Sequence, residues 1–188
     1  MQRISAHAFL ERDERMLRPL NYPAAVPGRG YSILDAMGYR MLVLSAMGTV
    51  HIEPCLDNPF YAIERVLDRE EGHYDFAMLD FHAEAAGEKG AMAHYFDGRI
   101  QVIAGTHTHV PTADMQILPR GTGFVTDLGM CGPSGGVLGI DAKVIIERSM
   151  LHLPRKYEAA TGEVFADGVI FTLDTSSKKI TAVERIRF

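Results

Sequence analysis

The sequence predicts one α/β domain over residues 1–188, built on a mixed sheet or two packed sheets flanked by helices. Three observations lead there. Apolar runs at 76–81 and 100–104 bracket a Glu- and Ala-rich stretch at 84–96. Strand, helix, strand in that order makes the two strands parallel near neighbours. A hairpin pattern at 31–45 and an alternating tail at 163–173 and 179–187 add antiparallel strands, so the sheet content is mixed.

Each element has a local cause. A charged helix is predicted over 4–17; Arg18-Pro19 ends it, because proline disfavours helix in the residue before it. A turn-rich stretch follows at 21–30. The hairpin pairs 31–35 with 39–45 around Met37-Gly38, where glycine suits the positive φ of a tight turn. Asn58-Pro59 reads as N-cap and first helical residue, with Phe60, Ile63, Val66 and Leu67 on one face. Asp97-Gly98 turns the chain into the strand at 100–104. Short strands follow near 115–118 and 123–127, then a glycine-rich loop at 129–139. A helix capped by Asp141 runs to about 150, and a strand is predicted at 156–160. In the tail, Val169, Phe171 and Leu173 alternate with Ile170, Thr172 and Asp174, as in a half-buried strand.

Composition narrows the function classes. An apolar fraction of 47% and a charged fraction of 23% fit a soluble globular domain of 188 residues. A net charge of −5 argues against an extended nucleic-acid surface, which is usually basic, but leaves room for one nucleotide in a pocket. Cys55 and Cys131 form no CxxC pair, which fits a reducing cytoplasm. No run is long enough to span a bilayer, and no signal-peptide core follows Met1.

The chemistry concentrates at two strand ends. His82 follows the run at 76–81. His107 and His109 follow the run at 100–104, in a loop shaped by Gly105 and Pro111. Ligand sites in such sheets lie beyond the carboxyl ends of the strands, and imidazole is a good ligand for zinc, iron or manganese. One metal site in a hydrolase is expected, and a mononuclear zinc site with three histidines is one form of it. Asp80, Asp114 and Asp127 lie near the same edge, as carboxylates that orient ligands or cap loops. His7, His51, His73, His94 and His152 are assigned no role. The loop at 129–139 is neither a P-loop nor a dinucleotide fingerprint; it is a structural turn or a wall of the substrate pocket.

Three longer motifs carry a resemblance. Asp80-Phe-His-Ala-Glu-Ala-Ala-Gly-Glu-Lys89, Gly105-Thr-His-Thr-His-Val-Pro-Thr-Ala-Asp114 and Thr126-Asp-Leu-Gly-Met-Cys-Gly-Pro133 resemble the YmdB-type bacterial metallophosphoesterases of the calcineurin-like superfamily. Leu17-Arg-Pro-Leu-Asn-Tyr-Pro23, Pro27-Gly-Arg-Gly30 and Leu56-Asp-Asn-Pro-Phe60 extend the likeness along essentially the whole chain. The resemblance implies a calcineurin-like sandwich of mixed sheets flanked by helices. It also implies hydrolysis of small phosphodiesters, cyclic nucleotides among them, with two divalent ions (manganese, iron or zinc). His82 and His107 would hold one ion and His109 the other.

The sequence departs from the family at its start and in one loop. The family's Gly-Asp, Gly-Glu-Asn and Gly-Asn-His motifs do not occur. The chain is therefore expected to be a C-terminal portion of the family domain, without the family's general-acid histidine, so no catalytic residue is assigned. Three neutral imidazoles balance two divalent ions poorly. At most one ion is expected unless Asp80, Glu84 or Asp127 joins in. The alternative is an incomplete half-domain whose exposed strand edge pairs with another chain or a second copy. The stretch 45–51 lacks the polar, Arg-containing character of the family, which weakens any substrate contact there.

Overall fold

The structure is a computed structural model describing residues 6–188. Helix α1 (Ala6–Arg12) is shorter than the sequence predicts, and residues 4 and 5 lie outside the described residues. The hairpin is present as β1 (Tyr31–Ala36) and β2 (Tyr39–Met47). Both turn residues have positive φ, 55° at Met37 and 88° at Gly38, the condition for a two-residue turn that keeps the strand twist.

Helix α2 (Pro59–Arg69) starts as predicted: the Asn58 side chain accepts the Phe60 N–H at 2.9 Å. Strand β3 (Phe76–His82), helix α3 (Ala86–Tyr95) and strand β4 (Val102–Thr106) form the βαβ unit, with β3 and β4 parallel and adjacent. Strands β5 (Gln116–Ile117), β6 (Gly123–Val125) and β7 (Cys131–Pro133) are short. Helix α4 (Ala142–Leu151) is capped by Asp141, which accepts the N–H groups of Lys143 and Val144. Strands β8 (Val164–Asp174) and β9 (Lys179–Arg187) close the chain.

Two sheets result, as expected: a six-stranded mixed sheet in the order β1-β2-β3-β4-β6-β5 and a three-stranded sheet β7-β8-β9. Two predicted strands need correction. The 156–160 segment is no strand; beside the isolated bridge Ile140↔Ala159 it is held by two backbone bonds, Asp141 N–H to the Glu158 carbonyl and Ala160 N–H to the Gly139 carbonyl, and by Arg148 over the Tyr157 ring. Strand β4 begins and ends two residues later than the apolar run suggests, so Gly105 lies inside it. There the missing side chain admits a neighbour: a Cβ on Gly105 would stand 1.8 Å from the Thr126 carbonyl oxygen.

The core lies between the helices and one sheet face. Leu42, Leu44, Leu79, Phe81 and Ile103 pack against Ile63, Val66 and Leu67 of α2 and Met92, Ala93 and Phe96 of α3. Burying each Leu or Phe fully stabilises the fold by about 1.5–3 kcal/mol. The opposite face is covered only in part. Phe171 and Ile180 of the small sheet pack over Gly123, while Met41, Val43, Met78 and Val102 remain half-buried and Asp80 reaches solvent. Among the described residues, no helix is long and apolar enough to cross a membrane.

Candidate metal centre

The register of β3 against β4 builds the site. His82 ends β3 directly beside Thr106, the last residue of β4, and His107 follows one residue on. The two imidazoles meet edge to face, with His107 Nδ1 3.0 Å from His82 Nε2. On the other side of its ring, His107 Nε2 lies 3.0 Å from a Glu84 carboxylate oxygen. His82 Nδ1 lies 3.1 Å from the Thr106 hydroxyl, which donates to Asp80 at 2.9 Å.

This chain of contacts fixes the tautomer of His82. The Thr106 proton goes to Asp80, so the hydroxyl accepts from His82 Nδ1–H, and His82 Nε2 is left as an acceptor. Burial, then the neighbouring His107, pulls the His82 imidazole below its ordinary value. The neutral ring is the form that ligates metals. Asp80 reaches solvent at its surface but is walled by protein. Burial therefore pushes its carboxyl up, and the Thr106 hydrogen bond offsets part of that.

Asp127 sits just beyond β6 with its side chain fully buried against the equally buried Lys89, Nζ to Oδ2 3.1 Å. Burial pushes its carboxyl up. The amides of Thr108 and Gly129 and the Lys89 ammonium outweigh this and hold it below its ordinary range. Asp114 accepts the Thr126 N–H and hydroxyl, and is held low against burial by hydrogen bonds from Thr112 and Thr126. Among the described residues no contact joins Asp114 to the imidazoles; its bonds tie the loop before β5 to Thr126, just past β6. His109, at φ 65°, faces a separate hollow of about 160 Å³ lined by Met130, Phe165, Asp167 and Arg187. Among the described residues, no three His, Cys, Asp or Glu side chains converge on one point. The reason lies in His107, whose two nitrogens face opposite ways, toward His82 and toward Glu84.

The pair suits one ion. Two nitrogens about 2.0–2.1 Å from a tetrahedral ion lie roughly 3.3 Å apart, close to the 3.0 Å seen between His82 Nε2 and His107 Nδ1. His82 Nε2 and His107 Nδ1 would be the atoms to hold such an ion, in place of the hydrogen bond they now share. Sequence reasoning missed Thr106, which a correct end to β4 exposes as the neighbour of His82. It also missed a role for Lys89, which reads as an ordinary helix lysine.

Comparison with known proteins adds the lineage. The family model for YmdB-like proteins matches residues 2–186. The 2',3'-cyclic-nucleotide 2'-phosphodiesterase of Bacillus subtilis (strain 168) is 39% identical over 178 residues, covering 95% of this chain and 67% of the relative. A hypothetical protein from Thermus thermophilus superposes with a TM-score of 0.89 at 36% identity, covering 97% of this chain and 70% of that one. A novel phosphatase from Mycoplasma pneumoniae gives 0.88 at 31%, covering 97% and 66%. The chain thus spans about two thirds of the length of these relatives. The mixed α/β fold, shared with a relative named as a phosphodiesterase and a structure named as a phosphatase, is that of a phosphoesterase. Within that class the chain belongs to the YmdB-like family.

Proposed function

We propose that this chain contributes the His82–His107 side of a metal-dependent phosphodiesterase acting on small phosphodiesters, cyclic nucleotides in particular. The observation that carries the proposal is the 3.0 Å approach of two imidazole nitrogens at the carboxyl ends of parallel strands. A bound divalent ion polarises a phosphoryl oxygen and makes water a nucleophile near neutral pH. The protein's own part is positional. Asp80 and Thr106 hold the His82 ring by its far nitrogen, and Glu84 holds that of His107. His109, turned to the adjoining hollow, is assigned to a second ion, with the hollow beside it for the rest of the substrate. The substrate class rests on the relative named for 2',3'-cyclic nucleotides.

A second reading, a half-site that holds at most one ion or completes itself on another chain, is favoured by one observation. His82 and His107 approach each other, but among the described residues no three His, Cys, Asp or Glu side chains gather at one point. Metal content separates the readings. The chain is stripped with chelator, refilled with manganese, and compared with His82→Ala and His109→Ala. Close to two ions, with each substitution removing one, and hydrolysis of a 2',3'-cyclic nucleotide support the enzyme reading. One ion lost only in His82→Ala, without hydrolysis, supports the half-site. Manganese content indifferent to His82→Ala refutes the imidazole pair as a ligand set.

A further inference from the structure

We propose that the buried Lys89–Asp127 pair is the positioning device of the histidine loop, a role that rests for its functional meaning on the metal-site reading above. Both side chains have no exposed surface. The Asp127 carboxylate reaches three elements at once. Its Oδ2 accepts from Lys89 Nζ at 3.1 Å and from the Thr108 N–H at 2.9 Å, and its Oδ1 accepts from the Gly129 N–H at 3.0 Å. Thr112 bonds the Asp127 backbone in both directions, its N–H to the carbonyl at 3.1 Å and its hydroxyl from the N–H at 2.9 Å.

Thr108 is the residue that needs holding. It stands between His107 at φ 116° and His109 at φ 65°, both non-glycine residues with positive φ. Such conformations persist only where their surroundings over-determine them. Here one carboxylate grips the amide between the two strained residues and so sets where both imidazoles leave the backbone. A lone buried carboxylate is strongly disfavoured, so the grip requires a buried cation. Lys89 supplies it from α3, the helix that follows His82 and Glu84, and its stem lies against Gly105 where β4 ends. The elements bearing His82 and His107 are thereby tied through one ion pair. Fixing ligands by buried neighbours is a general requirement of metal sites.

The test uses the full chain, Asp127→Asn, and the double variant Lys89→Met with Asp127→Asn, which leaves no lone buried charge if the single variant fails to fold. Three readouts are taken: amide exchange at Thr108, ring ¹⁵N resonances of His82 and His107, and zinc titration. The parent should protect the Thr108 amide. The variants should lose that protection at least ~10-fold relative to core amides, shift the imidazole resonances, and bind zinc about 10–100-fold more weakly. A general loss of stability alone moves neither the ring resonances nor the relative protection at Thr108. An unprotected Thr108 amide in the parent, or ring resonances unchanged in both variants, overturns the proposal. If the parent binds no zinc while Thr108 and the rings behave as expected, the positioning device stands and the metal reading falls.

Discussion

Replacing Asn21 with Ala should cost the fold about 2–4 kcal/mol, although the residue lies far from the histidines in sequence. Its side chain is buried, with 1% exposure, and makes three hydrogen bonds. Nδ2 donates to the carbonyls of Met47 at 2.8 Å and Asp57 at 3.0 Å, and Oδ1 accepts the Met47 N–H at 3.0 Å. Alanine removes all three and leaves the Met47 backbone without these partners. At about 0.5–1.5 kcal/mol net per bond, the loss reaches the stated range, and the midpoint of thermal unfolding falls by roughly 5–15 °C for a domain of this size. Met47 pairs with His82 in the β2–β3 register, and the next amide, Gly48 N–H, bonds the His82 carbonyl at 2.9 Å. Loosening Asn21 therefore frees the backbone of a candidate ligand. Asn21→Asp should be worse than Asn21→Ala, because carboxylate oxygens would face two carbonyls. Urea unfolding followed by circular dichroism measures both. A loss below ~1 kcal/mol for Ala, or Asp milder than Ala, refutes the claim that this side chain clamps β2.

Three further outcomes follow from the same geometry. Gly105→Ala drives a methyl to 1.8 Å from the Thr126 carbonyl, so β4 or β6 must shift; a loss of about 2 kcal/mol or more is expected, and an unchanged melting midpoint contradicts the contact. Thr106→Val breaks the link between Asp80 and His82, and zinc titration should show about 10–100-fold weaker binding with stability changed by only ~1 kcal/mol; equal affinity removes the link from the site. Asp127 is held below its ordinary range, so it binds fewer protons folded than unfolded. Its contribution is full above the unfolded carboxylate value near ~4 and is lost as pH falls through the lower folded value. Urea midpoints between about pH 2 and 6 should drop less steeply in Asp127→Asn than in the parent; parallel profiles count against a low folded pKa.

Much of this was legible in the chain. Asn58-Pro59 and Asp141 announced helix starts through chemistry local to a few residues, and Met37-Gly38 did so for the hairpin. The βαβ rule alone set His82 and the 107–109 loop at one sheet edge. Long-range packing was not legible. Gly105 looks like a loop-maker in sequence but is a strand residue, because the Thr126 carbonyl, 21 positions on, occupies the space of its side chain. Residues 156–160 meet only the irregular 139–141 segment, through one isolated bridge and two backbone bonds, so no ladder extends along them. Lys89 beside Glu88 in an Ala-rich helix suggests a solvated surface. Only the fold shows that Glu88 turns to the Thr49 and Val50 amides while Lys89 points inward to Asp127.

The partly bare sheet face has a consequence for how this protein meets other molecules. Parallel strands are ordinarily screened from water on both faces. Here Met41, Val43, Met78 and Val102 are half-covered, and Asp80 stands among them on β3, in register with Ala104, bonded to Thr106 and through it to His82. A body that seals those four side chains also dries Asp80, raises the energy of its charge, and alters what Thr106 can offer His82. Were such a body to dock, its binding and the tuning of the imidazole pair would be one linked equilibrium, and by reciprocity an ion held at the histidines would change its affinity.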